Sequence, residues 1–381
     1  MNARIAIVHE RFTEYGGSEA VVAEFMRTWP GAPVFAPILE TDCVRSVADA
    51  AGTSPAAANI RASAWLSRLY AATGRRSHAP LLPLVPRALR GLPLRADYDA
   101  VVVSHHAFAS SAALATSAPV IAYVHSPARW AWDSAFRARE AGGWAGQLAL
   151  TALGGLARRA ELRAAPHIAH VVANSSAVAQ RVREWWDLPA TVVNPPVRVD
   201  SFAPDPTVER EDFFLFAGRL VPYKRADVAI RAAQQAGVRL VILGDGRARR
   251  HLESIAGPET LFLGAADDAV LLDMYRRCRA LLMPGVEDFG IVPVEAMACG
   301  APVIAVGTGG AVDTVLPDIT GVHIEFGPDD EVIQSFARVM KDFPSQNFDG
   351  ERIRKHALDF SPTVFRERMS AVVDNCLQSL T

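Results

Sequence analysis

Runs of three to five apolar residues recur from one end of the chain to the other, separated by longer stretches whose apolar positions repeat at helical spacing. The runs Ile5–Val8, Ala100–Val103, Val120–Val124, Val171–Asn174, Phe213–Ala217, Leu240–Leu243, Leu261–Leu263, Ala280–Met283 and Pro302–Val306 read as strands. Ser18–Thr28, Ser176–Trp186 and Arg225–Ala236 read as helices. Strands that alternate with helices predict a mostly parallel sheet covered on both faces. The strands are too many for one sheet of ordinary size. The break falls at Val193-Asn194-Pro195-Pro196-Val197, where two prolines follow a strand-like run. The expected fold class is therefore α/β, with doubly wound, Rossmann-like domains over residues 1–195 and 196–361. The competing reading is one large sheet with an internal loop at the prolines.

One segment carries more chemistry than the rest. Glu287-Asp288-Phe289-Gly290-Ile291-Val292-Pro293-Val294-Glu295 sets two carboxylates eight residues apart, just after the strand Ala280–Met283. Pro293 in a first turn and Gly300 past a last one predict a helix over Pro293–Cys299. A strand, a glycine turn and a helix N-terminus make an anion site, since free N–H groups face outward and the dipole adds about half a positive charge. A phosphate flanked by hydroxyl-bearing sugars, as in a nucleotide sugar, suits that layout.

Other candidates lie at strand ends, where a parallel sheet delivers its loops to a ligand crevice. Arg219 and Lys224 follow the strand Phe213–Ala217. Lysine is rare here, three against 36 arginines, and it is a compact charge suited to a phosphate oxygen. Gly16 and Gly17 stand between the first strand and its helix, where backbone can approach a ligand. Ser18 offers the plainer reading of a helix cap. The spacing is not GxGxxG, and no strand is followed by that pattern. His125 follows the strand Val120–Val124 and can hydrogen-bond a substrate hydroxyl, whereas His105 and His106 read as structural. Gly244-Asp245-Gly246 reads as a turn or as a close approach to a nucleotide, with no role for the Asp side chain. Asp97-Tyr98-Asp99 has the form of a metal–diphosphate motif but starts a strand, the wrong end of a parallel sheet. No His or Cys cluster has metal-ligand spacing, so no metal is expected.

Charge changes the picture in one region. The net charge is −2, yet residues 1–200 hold 20 arginines against 15 carboxylates. Between Asp49 and Asp97 there is no acidic residue, while Arg61, Arg68, Arg75, Arg76, Arg87, Arg90 and Arg95 lie among Trp65, Leu66, Leu69, Tyr70, Leu81, Leu82, Leu84, Val85 and Leu89. Arg137, Arg139, Arg158, Arg159 and Arg163 extend the basic character. Such mixing suits an anionic membrane surface; an ordinary polar face is the alternative. Nucleic acid is not expected, because the chain is slightly acidic and lacks a nucleic-acid motif. Cys43, Cys278, Cys299 and Cys376 form no CxxC pair and read as buried thiols of a reducing compartment. The first strand begins too early for a signal peptide, and the weakly charged run Trp144–Ala157 is too short to span a bilayer. The expectation is a cytoplasmic protein, peripheral on the inner face of the membrane.

These residues resemble a known family. Gly16-Gly17-Ser18-Glu19, His125-Ser126-Pro127-Ala128-Arg129-Trp130-Ala131-Trp132-Asp133, Ala173-Asn174-Ser175, Asn194-Pro195-Pro196-Val197, Gly218-Arg219 through Lys224 and the Glu287–Glu295 pair are similar to the motifs of the retaining glycosyltransferases of family 4. The histidine-led block looks most like bacterial mannosyltransferases of O-antigen and exopolysaccharide assembly. The resemblance implies the GT-B fold, two Rossmann-like domains facing across a cleft, with a last helix near 362–381 that packs back on the first domain. It implies that Arg219 and Lys224 bind the donor diphosphate, that Glu287 contacts the donor sugar and that Glu295 holds the ribose. Phe289, Gly290 and Ile291 would offer backbone N–H groups, Gly16 and Gly17 would lie against the diphosphate, and His125 would face the sugar. It further implies no cofactor and no metal, with a nucleotide sugar as donor.

The expected activity is transfer of a hexose, mannose from GDP-mannose by resemblance, to a lipid-linked saccharide. With no carboxylate placed as a nucleophile, the departing phosphate oxygen would take the acceptor's proton on the front face. The alternatives are a UDP-sugar hexosyltransferase, a GT-B-type epimerase or phosphorylase, and a nucleotide-sugar-binding protein without turnover.

Overall fold

A computed structural model describes residues 3–74, 78–95, 98–140 and 144–379. The chain divides into two compact units, Met1–Pro196 with Pro362–Thr381, and Val197–Ser361.

The first unit is built on a seven-stranded sheet in the order β3-β2-β1-β4-β5-β6-β7, every pair parallel. The strands are β1 (Ile5–His9), β2 (Val34–Ala36), β3 (Ile60–Ala62), β4 (Ala100–His105), β5 (Val120–Val124), β6 (His170–Ala173) and β7 (Thr191–Val192). Side chains alternate between faces along each strand. Ala6 and Val8 of β1 join one buried cluster, and Ile5 and Ile7 the other, so helices cover both faces.

The second unit has six parallel strands in the order β10-β9-β8-β11-β12-β13. These are β8 (Phe214–Ala217), β9 (Leu240–Leu243), β10 (Thr260–Gly264), β11 (Ala280–Met283), β12 (Val303–Val306) and β13 (Gly321–Ile324). Leu215 and Ala217 face one cluster, Phe214 and Phe216 the other. In both sheets the winding reverses between the two central strands, β1 and β4 in one, β8 and β11 in the other. Loops that leave such a pair diverge, and the crevice at their carboxyl ends is where doubly wound sheets bind ligands.

Three expected strands have the expected bounds, and the others shift by one or two residues. β2, β3, β7 and β13 were not anticipated. β2 is three residues between Pro33 and Pro37, β3 is partly exposed at the sheet edge, β7 is two exposed residues, and β13 opens on Gly321. β3, β7 and β13 lack an apolar run long enough to register, and the short run of β2 is hemmed in by Pro33 and Pro37. The helix expected over Pro293–Cys299 runs instead over Ile291–Ala298, because its cap is Gly290 (φ 92°) and Pro293 lies in the first turn rather than at its start. The run from Trp144 becomes part of a helix, Trp144–Ala164, and Gly154 lets it approach the backbone of Ala131, with only 3.2 Å from an added Cβ to the Ala131 Cα. Among the described residues no helix is long and apolar enough to cross a membrane.

The chain enters the second unit and leaves it at neighbouring points, where the Val197 N–H donates to the Phe360 carbonyl at 2.9 Å. The last helix, Pro362–Gln378, then lays Phe365, Met369, Val373 and Cys376 into the core of the first unit. Phe365 stacks on Phe25 and meets Tyr123 edge-on, both at 5.6 Å between ring centroids. Replacing a buried phenyl by a methyl typically costs about 3–5 kcal/mol. Phe365→Ala should therefore lower the unfolding free energy read from urea titration by about that amount, and an unchanged midpoint would mean the helix contributes nothing to this core.

Candidate active site

In the second unit the site begins with interlocked backbone. Gly285, after β11, runs against the loop after β8, and a Cβ on it would lie 2.5 Å from the Tyr223 carbonyl oxygen. Gly310, after β12, is pressed on Phe289 so closely that a Cβ would meet its carbonyl oxygen at 2.2 Å. The Gly310 N–H also donates to the Glu287 carbonyl at 2.9 Å. Only glycine allows such approach, and the loops after three adjacent strands become one body. Gly285 and Gly310 were missed in the sequence, where a lone glycine and the glycine-rich run Gly307-Thr308-Gly309-Gly310 both read as turns.

That body holds Lys224 and Glu287 together. Lys224 ends a 3-10 turn, Pro222–Lys224, and the next residue, Arg225, is left-handed (φ 57°). Its guanidinium forks onto Asp329 at 2.7 and 2.9 Å and onto Asp227 at 3.1 and 3.2 Å, which holds this costly backbone in place. Lys224 Nζ donates to Glu287 Oε1 at 2.8 Å, with both side chains mostly buried. Burial alone would lower the Lys224 pKa, but the Glu287 charge and hydrogen bond, with Tyr223, raise it above its ordinary value. An ammonium has three N–H donors, and Glu287 uses one. Arg219 is exposed at the end of β8.

The helix Ile291–Ala298 starts immediately beyond. Its first amides lack intrahelical partners by construction. The Phe289 side chain is core, packed on Phe360 at 5.6 Å, so its backbone is what remains for chemistry. Glu295 lies one turn into the helix and is 6% exposed. Tyr275 donates its O–H to Glu295 Oε2 at 3.1 Å, and Arg198, forked onto Asp268 at 2.6 and 3.1 Å, comes within 3.9 Å. Burial pushes the Glu295 carboxyl up to about 7 against the opposing pull of Arg198 and Tyr275. Arg198 and Tyr275 were not singled out in the sequence; contact across 97 and 20 positions leaves no local pattern.

The first unit gathers a second cluster at the ends of β1, β4 and β5. Gly16 and Gly17 are exposed, as expected of a ligand loop. The cap is not Ser18: the helix Gly17–Thr28 is capped at Gly16, whose N–H donates to Glu19 Oε2 at 3.0 Å, and Ser18 Oγ donates to the same oxygen at 2.8 Å. The other oxygen, Glu19 Oε1, meets His9 Nε2 at 3.0 Å. His9 Nδ1 lies 3.0 Å from Ser104 Oγ, which lies 2.8 Å from His125 Nε2. His106 stacks on His125 at 4.6 Å, so it belongs to this cluster rather than to the scaffold alone. Burial drives the His125 pKa well below its ordinary value, helped by the neighbouring histidines, and leaves the ring neutral.

Two further buried carboxylates hold this cluster, and neither was singled out. Glu10 accepts the N–H groups of Phe108 and Ala109 at 3.0 and 2.8 Å. Burial raises its pKa, but the His105 charge, Arg11 and the Phe108 N–H outweigh that and lower it. Glu161 is fully buried on the helix Trp144–Ala164 and accepts from Ala128 N–H at 2.9 Å, from the indole N–H of Trp132, and from Trp186 Nε1 at 3.3 Å. His105 Nε2 lies 3.1 Å from the same carboxylate. The histidine-led block thus closes around one carboxylate from a distant helix.

Asp245 is exposed and paired with Arg249 at 3.1 Å. Asp99 accepts the Arg4 N–H at 2.7 Å, and Asp97 lies outside the described residues. Among the described residues no three His, Cys, Asp or Glu side chains gather as a metal site. The four cysteines are buried and free. Arg61, Arg68, Arg87, Arg90, Arg95, Arg158, Arg159 and Arg163 are exposed, while Arg75 and Arg76, and the side chain of Arg139, lie outside the described residues. Arg137 leaves the basic patch, since it donates to the Trp130 and Ala131 carbonyls at 3.1 and 3.3 Å. Leu66, Tyr70, Leu81, Val85 and Leu89 are core, which leaves Trp65 and Leu69 as the exposed large apolar side chains among the described residues of that span.

The sequence model described as Glycosyltransferase Family 4 matches residues 15–201, and that described as Glycosyl transferases group 1 matches residues 199–356. The chain belongs to glycosyltransferase family 4. A GDP-mannose-dependent alpha-mannosyltransferase of Mycobacterium tuberculosis is 40% identical over 113 residues, 29% of this chain and 30% of that protein. A D-inositol 3-phosphate glycosyltransferase of Xylanimonas cellulosilytica is 35% identical over 149 residues, 34% and 36% of the two chains. The chain thus spans only about a third of the length of these curated relatives. Among solved structures, Anabaena HepE in complex with UDP and glucose is 18% identical with a TM-score of 0.68, covering 98% of this chain and 100% of that one. The sucrose-phosphate synthase of Thermosynechococcus elongatus is 16% identical with a TM-score of 0.70, covering 98% and 99%. The fold of this family 4 member is of the GT-B type.

The raised Glu295 pKa has a consequence for stability. In an unfolded chain a glutamate titrates near 4.3; in this fold Glu295 holds its proton up to about 7. Stability is therefore lost as pH rises from the lower value to the upper, and stays lost above it. Glu295→Gln removes that loss. Its melting temperature should exceed the wild type's by several degrees at pH 8, with the gap closing at pH 4. Equal gaps at both pH values would show that Glu295 is not held protonated.

Proposed function

We propose that this protein is a retaining hexosyltransferase that takes its sugar from a nucleotide diphosphate sugar. The observation that carries the reading is the Lys224–Glu287 pair, 2.8 Å apart, beside a helix N-terminus at the carboxyl end of β11. Lys224 and Arg219 receive the diphosphate, with the backbone N–H groups of Gly290 and Ile291 and the backbone at Phe289. Glu287 takes a hydroxyl of the sugar, and Glu295 takes the ribose hydroxyls. In the first unit, the exposed backbone at Gly16 and Gly17 suits an anion, and His125 suits a sugar hydroxyl.

Breaking the sugar–phosphate bond leaves new negative charge on the diphosphate. Fixed cations and amide dipoles aimed at that charge need no reorganisation, and one such donor is worth roughly 3–4 kcal/mol of barrier. Retention follows if the acceptor attacks from the face the phosphate leaves, with the phosphate oxygen taking the acceptor's proton. The reaction proceeds without a metal.

Mannose from GDP-mannose is favoured by the Mycobacterium tuberculosis relative. A UDP-sugar is the second reading, favoured by the UDP and glucose bound to Anabaena HepE. A thermal-shift comparison of GDP and UDP sugars separates them. Labelled nucleotide sugars offered with and without membrane extract test transfer itself, and turnover without any acceptor would point to an epimerase or phosphorylase. Glu287→Ala should abolish transfer with the fold intact, and full activity would refute the role given to Glu287. Lys224→Ala should weaken donor binding and lower kcat together.

The acceptor is a lipid-linked saccharide, reached from the inner face of the cytoplasmic membrane. Support comes from the exposed arginines near Trp65, which is 43% exposed, and from Trp144, 80% exposed on the helix that carries Arg158, Arg159 and Arg163. The protein should float with anionic liposomes at low salt and release as salt rises; failure to float at low salt would remove the membrane from the account.

A further inference from the structure

The block Ala173-Asn174-Ser175 plays no part in the sites described above. Ala173 ends β6, and Ser175 precedes the helix Ser176–Trp186. An asparagine at such a junction ordinarily caps the helix or braces the turn with its side chain. Here Ser175 is the cap, its Oγ accepting the Val178 N–H at 3.2 Å. The turn is braced through backbone: the Asn174 N–H donates to the Val124 carbonyl at 3.2 Å, and the Asn174 carbonyl accepts Asn194 Nδ2 at 3.1 Å. The side-chain amide of Asn174 is left with neither task, and among the described residues it makes no hydrogen bond.

That amide is nevertheless inside the protein, where Asn174 is 6% exposed. Its Oδ1 is closed off from solvent without a donor, while Nδ2 is the edge that still reaches the surface. Turning the amide over exchanges the two atoms and again leaves one of them enclosed and unpaired. An unpaired polar atom in the interior costs free energy that a leucine of the same size would not. The worth of the amide therefore lies at its outer edge. Ser110, the other neutral side chain in this condition, has no exposed edge at all. The surroundings of Asn174 are polar as well. β5 and β6 run in register, Val124 beside Ala173, so His125 and Ser126 leave the sheet next to Asn174. Ser126 is 8% exposed, and its Oγ has only a long contact of 3.5 Å, to Arg181 Nη1 on the helix that Ser175 caps.

We propose that Asn174 is an acceptor-binding residue: its outer amide edge, with the Ser126 hydroxyl, takes a hydroxyl of the saccharide that receives the transferred sugar. A sugar hydroxyl both gives and accepts a hydrogen bond, and an amide and a hydroxyl side by side at the carboxyl ends of two strands answer both needs. The proposal rests on the hexosyl transfer given under Proposed function. In that reading the second unit holds the diphosphate, the sugar and the ribose of the donor, which leaves a saccharide site of the first unit to the acceptor. Every residue named for it lies in the first unit.

Asn174→Leu separates binding from scaffolding, because the two roles give opposite signs in stability. Removing the unpaired atom should raise the melting temperature of the full-length protein by a few degrees. Transfer from labelled GDP-mannose or UDP-glucose, whichever the wild type uses, to membrane extract should fall roughly tenfold at low extract, the share of one hydrogen bond, and recover in part as extract is raised. The thermal shift that the nucleotide sugar gives without extract should match the wild type's. A lower melting temperature in the folded variant would make the amide structural. A lost thermal shift would assign it to the donor, and transfer at the wild-type rate would leave it no ligand; each of the three overturns the proposal. Asn174→Ala, which cannot overpack, repeats the transfer and thermal-shift measurements and decides them should the leucine variant not fold. A wild type that moves no sugar to the extract refutes hexosyl transfer, and the acceptor site with it, whereas wild-type transfer matched by the variant refutes the role of Asn174 alone.

Discussion

The structure depends on a reversal of winding in the middle of each sheet. A parallel strand sends its following loop to its carboxyl end, and neighbouring loops ordinarily bend the same way and close over one another. Between β1 and β4, and again between β8 and β11, they bend apart. The polar residues of each unit gather at those ends, buried after β1 and β4 and partly exposed after β8 and β11. His9 and Glu10 end or follow β1, Ser104 and His105 end β4, Gly218 and Arg219 follow β8, and Glu287 lies beyond β11. The chemistry sits where the topology leaves room, and the apolar strands beneath hold it rigid.

What fills that room is a set of carboxylates treated very differently by their surroundings. Glu10 and Glu161 are walled in and accept amide and indole N–H groups, so they act as fixed acceptors for the segments that follow β4 and β5. Glu287 has an ammonium partner. Glu295 has a phenol and a distant guanidinium, too little to offset its burial, and it is the one that keeps its proton toward neutrality. Four side chains of one kind thus serve as scaffold, ion-pair partner and titrating group, according to the donors that surround each.

Much of this was legible in the sequence, because it is local. Val120–Val124, Leu240–Leu243 and Ala280–Met283 are short apolar runs, and burial on both faces demands such runs. Glu287, Gly290 and Glu295 were visible because carboxylates flank a glycine turn after a strand, and Lys224 because lysine is rare in this chain and stands after another. What stayed hidden is non-local. Glu161 reads as one charge on a helix, and only the fold brings it to Ala128 and Trp132. Ser104 reads as a small residue finishing a strand, and only pleating turns it between two histidines. The edge strands β3 and β7 were hidden for another reason, since their exposure lets them carry ordinary polar residues.

The hydrogen bond from Val197 to the Phe360 carbonyl joins the two places where the chain crosses into and out of the second unit. A segment whose ends are fastened side by side behaves as a cassette. Exchange between relatives can lift out the part that holds Lys224 and Glu287 and set in another, because the two crossing points lie side by side. The first unit, with its returning helix, keeps its own core through such a swap, and new specificities become reachable by recombination rather than by point change.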